Sequence, residues 1–297
     1  MIASPGTMRV CLMAAMIVAA MSGIARPADD AAAVSARLLD DALTQDERKQ
    51  LVLDHPDLAI DLIRNMTDGL AAGEEEYRRI PWIWRVAIEA TKRNEGMQVR
   101  DILVLSLPKA GEPLRDWQAV VIGGGIINGL SQKNIWPREH LHTLLAGDAG
   151  LQARWDRLLV QSGEMADDEA VFTGTRYDAL RILGCGEWEP HGVHLLQYLA
   201  EGTNDELQMG AVSGLIDIDS PYSTKALSDA FLHLKATNRR LAIAGLLRDA
   251  GRCDALLFSI ESGRISDVEL SAEQIKSLRE HPDPKVRDRA AKALIPN

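Results

Sequence analysis

At 297 residues, with 46% apolar side chains, the chain carries enough hydrophobic material for a sizeable core, which excludes disorder as its dominant state. Aromatic residues make up only 4%, Ala and Leu abound, and β-branched runs are short, a balance that favours helices over sheets. Lys and Arg number 33 against 43 Asp and Glu, so the formal net charge is −10, which opposes phosphate backbones and disfavours nucleic acid as a partner.

The chain opens with the pattern of an export signal. Arg9 lies in a short leading region, an uninterrupted apolar stretch runs from Val10 to Met21, and Ser22-Gly23-Ile24-Ala25 supplies small residues for cleavage after Ser22 or Ala25. The apolar run is too short to span a bilayer comfortably, since a spanning helix needs about 20 apolar residues. Residues 1–25 are therefore expected to be a signal peptide, and the mature chain a soluble periplasmic or secreted protein with no stable membrane insertion.

Beyond the signal, helical spacing recurs from Ala31 onward, punctuated by Pro, Gly and Asp. Thr44 followed by Glu47 has capping-box spacing and predicts a helix from Gln45 to about Leu53. His55-Pro56-Asp57 breaks it, because Pro56 disfavours helical geometry at His55, and Asp57 caps a helix through about Met66. Further helices are predicted at Glu74 to Asn94, Gln98 to Leu107, Leu114 to Leu130, Arg138 to Leu145, Leu151 to Val160, Arg176 to Leu183 and Val193 to Ala200. The series continues with Asp205 to Ile216, Ser223 to Leu234, Arg239 to Asp249, Ala255 to Ile260, Ala272 to Arg279 and Pro284 to Leu294. Two to five turns each, with short connections, is the pattern of stacked helical hairpins.

Internal similarity strengthens that reading. Asp283-Pro284-Lys285-Val286-Arg287 leads into Ala290, Ala291 and Leu294, placing Val286, Ala290 and Leu294 on one helix face. Asn204-Asp205-Glu206-Leu207, leading into Ala211, Val212 and Leu215, repeats the layout, and Arg240 with Ile243, Ala244 and Leu247 repeats it more loosely. On these residues the chain resembles the HEAT-like repeat family of the PBS-lyase type, in which Asp-Pro-x-Val-Arg opens the second helix of each pair; the likeness covers roughly Arg176 to Leu294. It is also similar to the helical segment of some secreted bacterial dehydrogenase-like proteins that precedes a c-type cytochrome module. The chain has no Cys-x-x-Cys-His, so covalent haem is not implied. The expected architecture is all-α: an α-solenoid, a right-handed superhelix of antiparallel hairpins. Residues 26–110 would form an N-terminal helical segment, continuous with repeats over 111–297. Cys185 and Cys253, the two cysteines after the signal, would then lie about two repeats apart, beyond the roughly 7 Å that a disulfide spans, and are expected to be buried thiols.

Reactive constellations are weak. Val120 to Gly129 looks like a strand leading into a phosphate loop, but the sixth place counted from Gly123 is Asn128 instead of glycine, and no Lys-Ser or Lys-Thr follows Gly129. Close packing between helices explains these glycines better. His191 and His194 lie near Glu187 and Glu189, yet Pro190 and Gly192 interrupt the helix that shared ligation requires, and His140 and His142 point to different sides. No Gly-x-Ser-x-Gly elbow occurs, Ser162, Ser213 and Ser220 lack a His partner in sequence, and Asp167-Asp168-Glu169 reads as a solvated helix start. The sequence therefore predicts no catalytic residue, cofactor or metal. Two polar-aromatic clusters stand out as partner-binding candidates: Tyr77, Arg78, Trp82, Trp84 and Arg85, and Arg176, Tyr177 and Asp178. The expected function is a non-enzymatic scaffold that docks a protein partner on its concave face. Alternatives are an accessory subunit or degenerate relative of a secreted oxidoreductase, and carbohydrate binding in a Trp-lined groove.

Overall fold

A computed structural model describes residues 28–93 and 96–294, with side chains from 31 onward. The expected signal peptide lies outside the described residues. Every regular element among the described residues is helical. In chain order they are α1 (Ala28–Leu38), α2 (Gln45–Asp54), α3 (Ala59–Thr67), α4 (Glu74–Arg93) and α5 (Gly96–Ser106). A continuous glycine helix follows, made of α6 (Asp116–Ala119), a π-helical stretch (Val120–Ile127) and α7 (Asn128–Gln132). Then come α8 (Pro137–Leu145), α9 (Ala149–Asp167), α10 (Thr173–Leu183), α11 (Val193–Leu195), α12 (Asp205–Asp217) and α13 (Pro221–Ala230). The series ends with α14 (Ala236–Leu246), α15 (Ala250–Glu261), α16 (Ala272–Arg279) and α17 (Pro284–Ala293).

Local chemistry explains most boundaries. The Thr44 side chain accepts from the Glu47 backbone N–H while Glu47 reaches back to Thr44, the reciprocal cap expected for α2. Asp148 caps α9 by accepting from Gly150 and Leu151 at 3.0 Å, which starts that helix earlier than the apolar pattern alone suggests. The same helix continues past Val160 because Ser162 returns its hydroxyl to the Leu158 carbonyl at 2.7 Å instead of breaking the chain. Pro137, Pro221 and Pro284 each occupy the first turn, where the missing N–H has no intrahelical acceptor to lose. Helix α11 is a single turn that tightens into a 3₁₀ turn at Leu196–Leu199, and α13 does the same at Phe231–His233, so the two predicted helices there end in a narrower coil.

Packing is sequential and layered. One row of helices is α4, the glycine helix, α10, α12 and α14, each packed on the next. Behind it α3 packs on α5 and α5 on α8; farther along, α13 packs on α15 and α15 on α17. Cross-links between layers run from α3 to α4, α9 to α10, α12 to α13 and α14 to α15. A single contiguous apolar core extends from Ala31 to Leu294. Cys185 and Cys253 are both buried and unpaired; burial pushes the Cys253 thiol up to about 11.

The glycine helix is the tightest joint. A side-chain carbon on Gly125 would collide with the Cβ of Ala87 on α4, and one on Gly123 with the backbone carbonyl of Asp178 on α10. The widened turn carries an i→i−5 bond from Asn128 N–H to the Gly123 carbonyl. Removing side chains lets α4 and α10 approach the same stretch of backbone from either side, which is the helix-packing role expected for these glycines.

Candidate functional site

An open groove of about 630 Å³ runs along the row between the glycine helix, α10, α12 and α14. Its geometry begins with a turn. After α7 the chain reverses at Asn134, whose φ is 56°, while Asn134 N–H bonds the Ser131 carbonyl at 3.0 Å and Ile135 N–H bonds the Leu130 carbonyl at 3.1 Å. This is a Schellman motif with Asn at the left-handed position, and it aims the Ile135 carbonyl and the Trp136 indole at the groove.

Arg248, just after α14, fits both. Its guanidinium lies 3.7 Å from the Trp136 ring centroid, and its Nη2 donates to the Ile135 carbonyl at 3.1 Å. Its Nη1 donates to Asp217 Oδ1 at 2.8 Å. The other oxygen of Asp217 receives Arg181 Nη2 at 2.9 Å, and the same nitrogen donates to Ser131 Oγ at 2.8 Å. Side-chain exposure is 0% for Asp217, 5% for Arg181 and 12% for Arg248, so two guanidinium groups share one carboxylate almost out of water. Asp217 closes α12, where the helix dipole opposes a carboxylate, and the two arginines offset that cost. The Nε–H of Arg181 is buried and has no hydrogen-bond acceptor. Around the triad, Tyr177, Asn128 and Gln132 supply polar groups, and Met209, Leu241 and Ala244 an apolar wall.

The residues singled out from sequence fall on or near this row. Trp84 donates its indole N–H to the Gly124 carbonyl at 3.1 Å and carries Arg85 on its ring at 4.7 Å. Asp178 approaches the same face of Gly124, where a side-chain carbon would lie 2.8 Å from its Oδ1 and 2.9 Å from Trp84 Cδ1, so the two clusters, far apart in sequence, meet at the glycine helix. Tyr177 lines the groove itself, and burial pushes its phenol upward. Asp178 is buried, and desolvation raises its carboxyl well above the usual carboxylate range. The remaining candidates are engaged within the fold. Trp82 is 9% exposed with the Arg48 guanidinium over its ring at 4.5 Å. Tyr77 packs edge-on against Phe172 at 4.1 Å between centroids and donates to Asp116. Arg78 pairs with Glu75 at 2.9 Å and bonds the Leu39 carbonyl at 2.9 Å. Arg176 bonds the Ala166 carbonyl at 2.8 Å, fastening the end of α9.

Sequence reasoning missed Trp136, Arg181, Asp217 and Arg248. They come from four separate elements, and the one local clue was an Asp at the dipole-disfavoured end of a helix whose neighbours are otherwise apolar. His194 bonds Asp167 at 3.0 Å, and Tyr198 and Gln197 bond the same carboxylate at 2.6 and 3.0 Å, so this histidine belongs to a network at the end of α9. Among the described residues no cluster of His, Cys, Asp or Glu could hold a metal ion, and no helix is long and apolar enough to cross a membrane. Comparison with protein-family models, with curated proteins and with solved structures gives no match, which leaves the groove and its charges to carry the functional reading.

Proposed function

We propose that the chain is an exported, non-enzymatic helical-repeat scaffold, a HEAT-like α-solenoid, that holds a protein partner along the row formed by α4, the glycine helix, α10, α12 and α14. One observation carries the reading: Trp84, Arg85, Tyr177 and the Arg181–Asp217–Arg248 triad all lie on that single row, and it opens into the groove. Aromatic and Arg side chains that are partly desolvated before binding lose little freedom on contact, which is why they anchor interfaces. The layered packing, with α10 on α12 and α12 on α14 in one layer and α13 on α15 and α15 on α17 in the other, supports the solenoid.

Site-specific photo-crosslinking in the native envelope tests the face. A crosslinker at Gln132 or Ala244, both on the groove, should give one discrete adduct, whereas Met97 and Leu232, exposed at 82% and 70% outside it, should give none. Adducts from neither pair, or equally from both, would remove the docking face. A captured partner carrying a redox cofactor would turn the reading toward an oxidoreductase accessory subunit.

A further inference from the structure

We infer that the groove between α7, α10, α12 and α14 is a binding site for a carboxylate carried on an apolar body, as in a Glu or Asp flanked by aliphatic residues in a peptide, or a small aliphatic acid. This names the chemistry of the docking face proposed above and rests on that reading for the peptide source, although the small acid tests the site by itself.

The charge count points there. Arg181 and Arg248 share Asp217, and Arg252 is already satisfied by Asp249 at 3.3 Å and by the Ile216 and Ile218 carbonyls at 2.7 Å. Asp178, one turn before Arg181 on α10, feels that charge but hydrogen-bonds neither guanidinium of the triad, and its burial outweighs the attraction and raises its carboxyl. One positive charge, largely removed from water, is thus left over beside an open groove. Such a charge is costly until an anion meets it.

Donor geometry narrows the contact to Arg248, because the Arg181 Nε–H, although it has no acceptor, is closed off from solvent. Arg248, at 12% side-chain exposure, is the more reachable guanidinium, and Trp136 holds it flat from behind. The wall of Met209, Leu241 and Ala244 faces the same space and suits aliphatic groups, so a carboxylate without an apolar body fills only part of the site.

Backbone amide shifts in a ¹H–¹⁵N NMR titration of the mature chain test this with hexanoate, hexanamide, acetate and the blocked tripeptides acetyl-Leu-Glu-Leu-amide and acetyl-Leu-Gln-Leu-amide. Hexanoate should move the amides of Arg181, Ser213 and Arg248 saturably, at least tenfold more tightly than hexanamide or acetate. The Glu tripeptide should beat the Gln tripeptide by a similar factor if a peptide is the natural source; hexanoate binding with two inert tripeptides would assign the site to small acids and leave the crosslinking result to judge the partner face. R248Q should weaken hexanoate at least tenfold, while R64Q, at the exposed Arg64–Asp61 pair on α3, leaves it unchanged. Should R248Q fail to fold, Ala244→Glu provides the second arm: its own carboxylate should block hexanoate and raise the melting temperature relative to Ala244→Gln. Equal binding of hexanoate and hexanamide, no saturable shift, or a melting temperature for Ala244→Glu at or below that of Ala244→Gln would overturn the assignment.

Discussion

Gly125 stands directly against Ala87, with no room for a methyl group between α4 and the glycine helix. Helix propensity alone would favour alanine there by about 1 kcal/mol. The collision outweighs it, since overpacking a close-packed joint costs about 1–3 kcal/mol when backbone has to move. Gly125→Ala should therefore lower the urea midpoint of unfolding. Gly174→Ala in α10, where the nearest atom to a new carbon is a Glu206 oxygen at 3.6 Å, should leave it unchanged or raise it slightly. Equal midpoints for the two variants would mean that the glycine helix relaxes freely and that its joint is looser than the contacts imply. Spacing and composition alone identified these glycines as packing residues; what they packed against was not legible, because Ala87 and Asp178 are fixed by tertiary approach and not by neighbours in sequence.

At the scale of elements, most helices were readable from capping residues and apolar periodicity, as α2, α12, α16 and α17 illustrate. Errors gathered where one signal outweighed another. The apolar pattern starts α13 at Ser223, whereas the helix opens at Pro221 because Ser220 accepts from Tyr222 N–H at 3.2 Å, and no apolar periodicity marks the positive φ of Asn134 after α7. That turn has a measurable cost. Asn tolerates the left-handed region and Ala does not, so Asn134→Ala should lose about 1 kcal/mol in chemical denaturation while Asn134→Gly holds its stability. The near-ultraviolet dichroism of Trp136 should change only in the Ala variant, because Trp136 owes its orientation under Arg248 to that reversal. Unchanged spectra and stability in Asn134→Ala would detach the turn from the groove.

For the molecule as a whole, the sequence yielded the helical class and the internal similarity at Asp205 and Pro284, but not the groove, whose four key side chains converge only after folding. Shape is the natural check on the layered packing. A compact chain of this length would have a radius of gyration of about 19 Å. The proposed solenoid is longer than it is wide, so small-angle X-ray scattering of residues 26–297 should give a clearly larger radius and an asymmetric distance distribution. A radius at the compact value would favour a closed helical bundle.

The carboxylate of Asp217 is shared property: Ser131 from α7, Arg181 from α10 and Arg248 from the segment after α14 all reach it from different places in the chain. It is a clasp with three straps, so a guest that drew Arg248 toward itself would loosen one of them while Ser131 and Arg181 kept their hold.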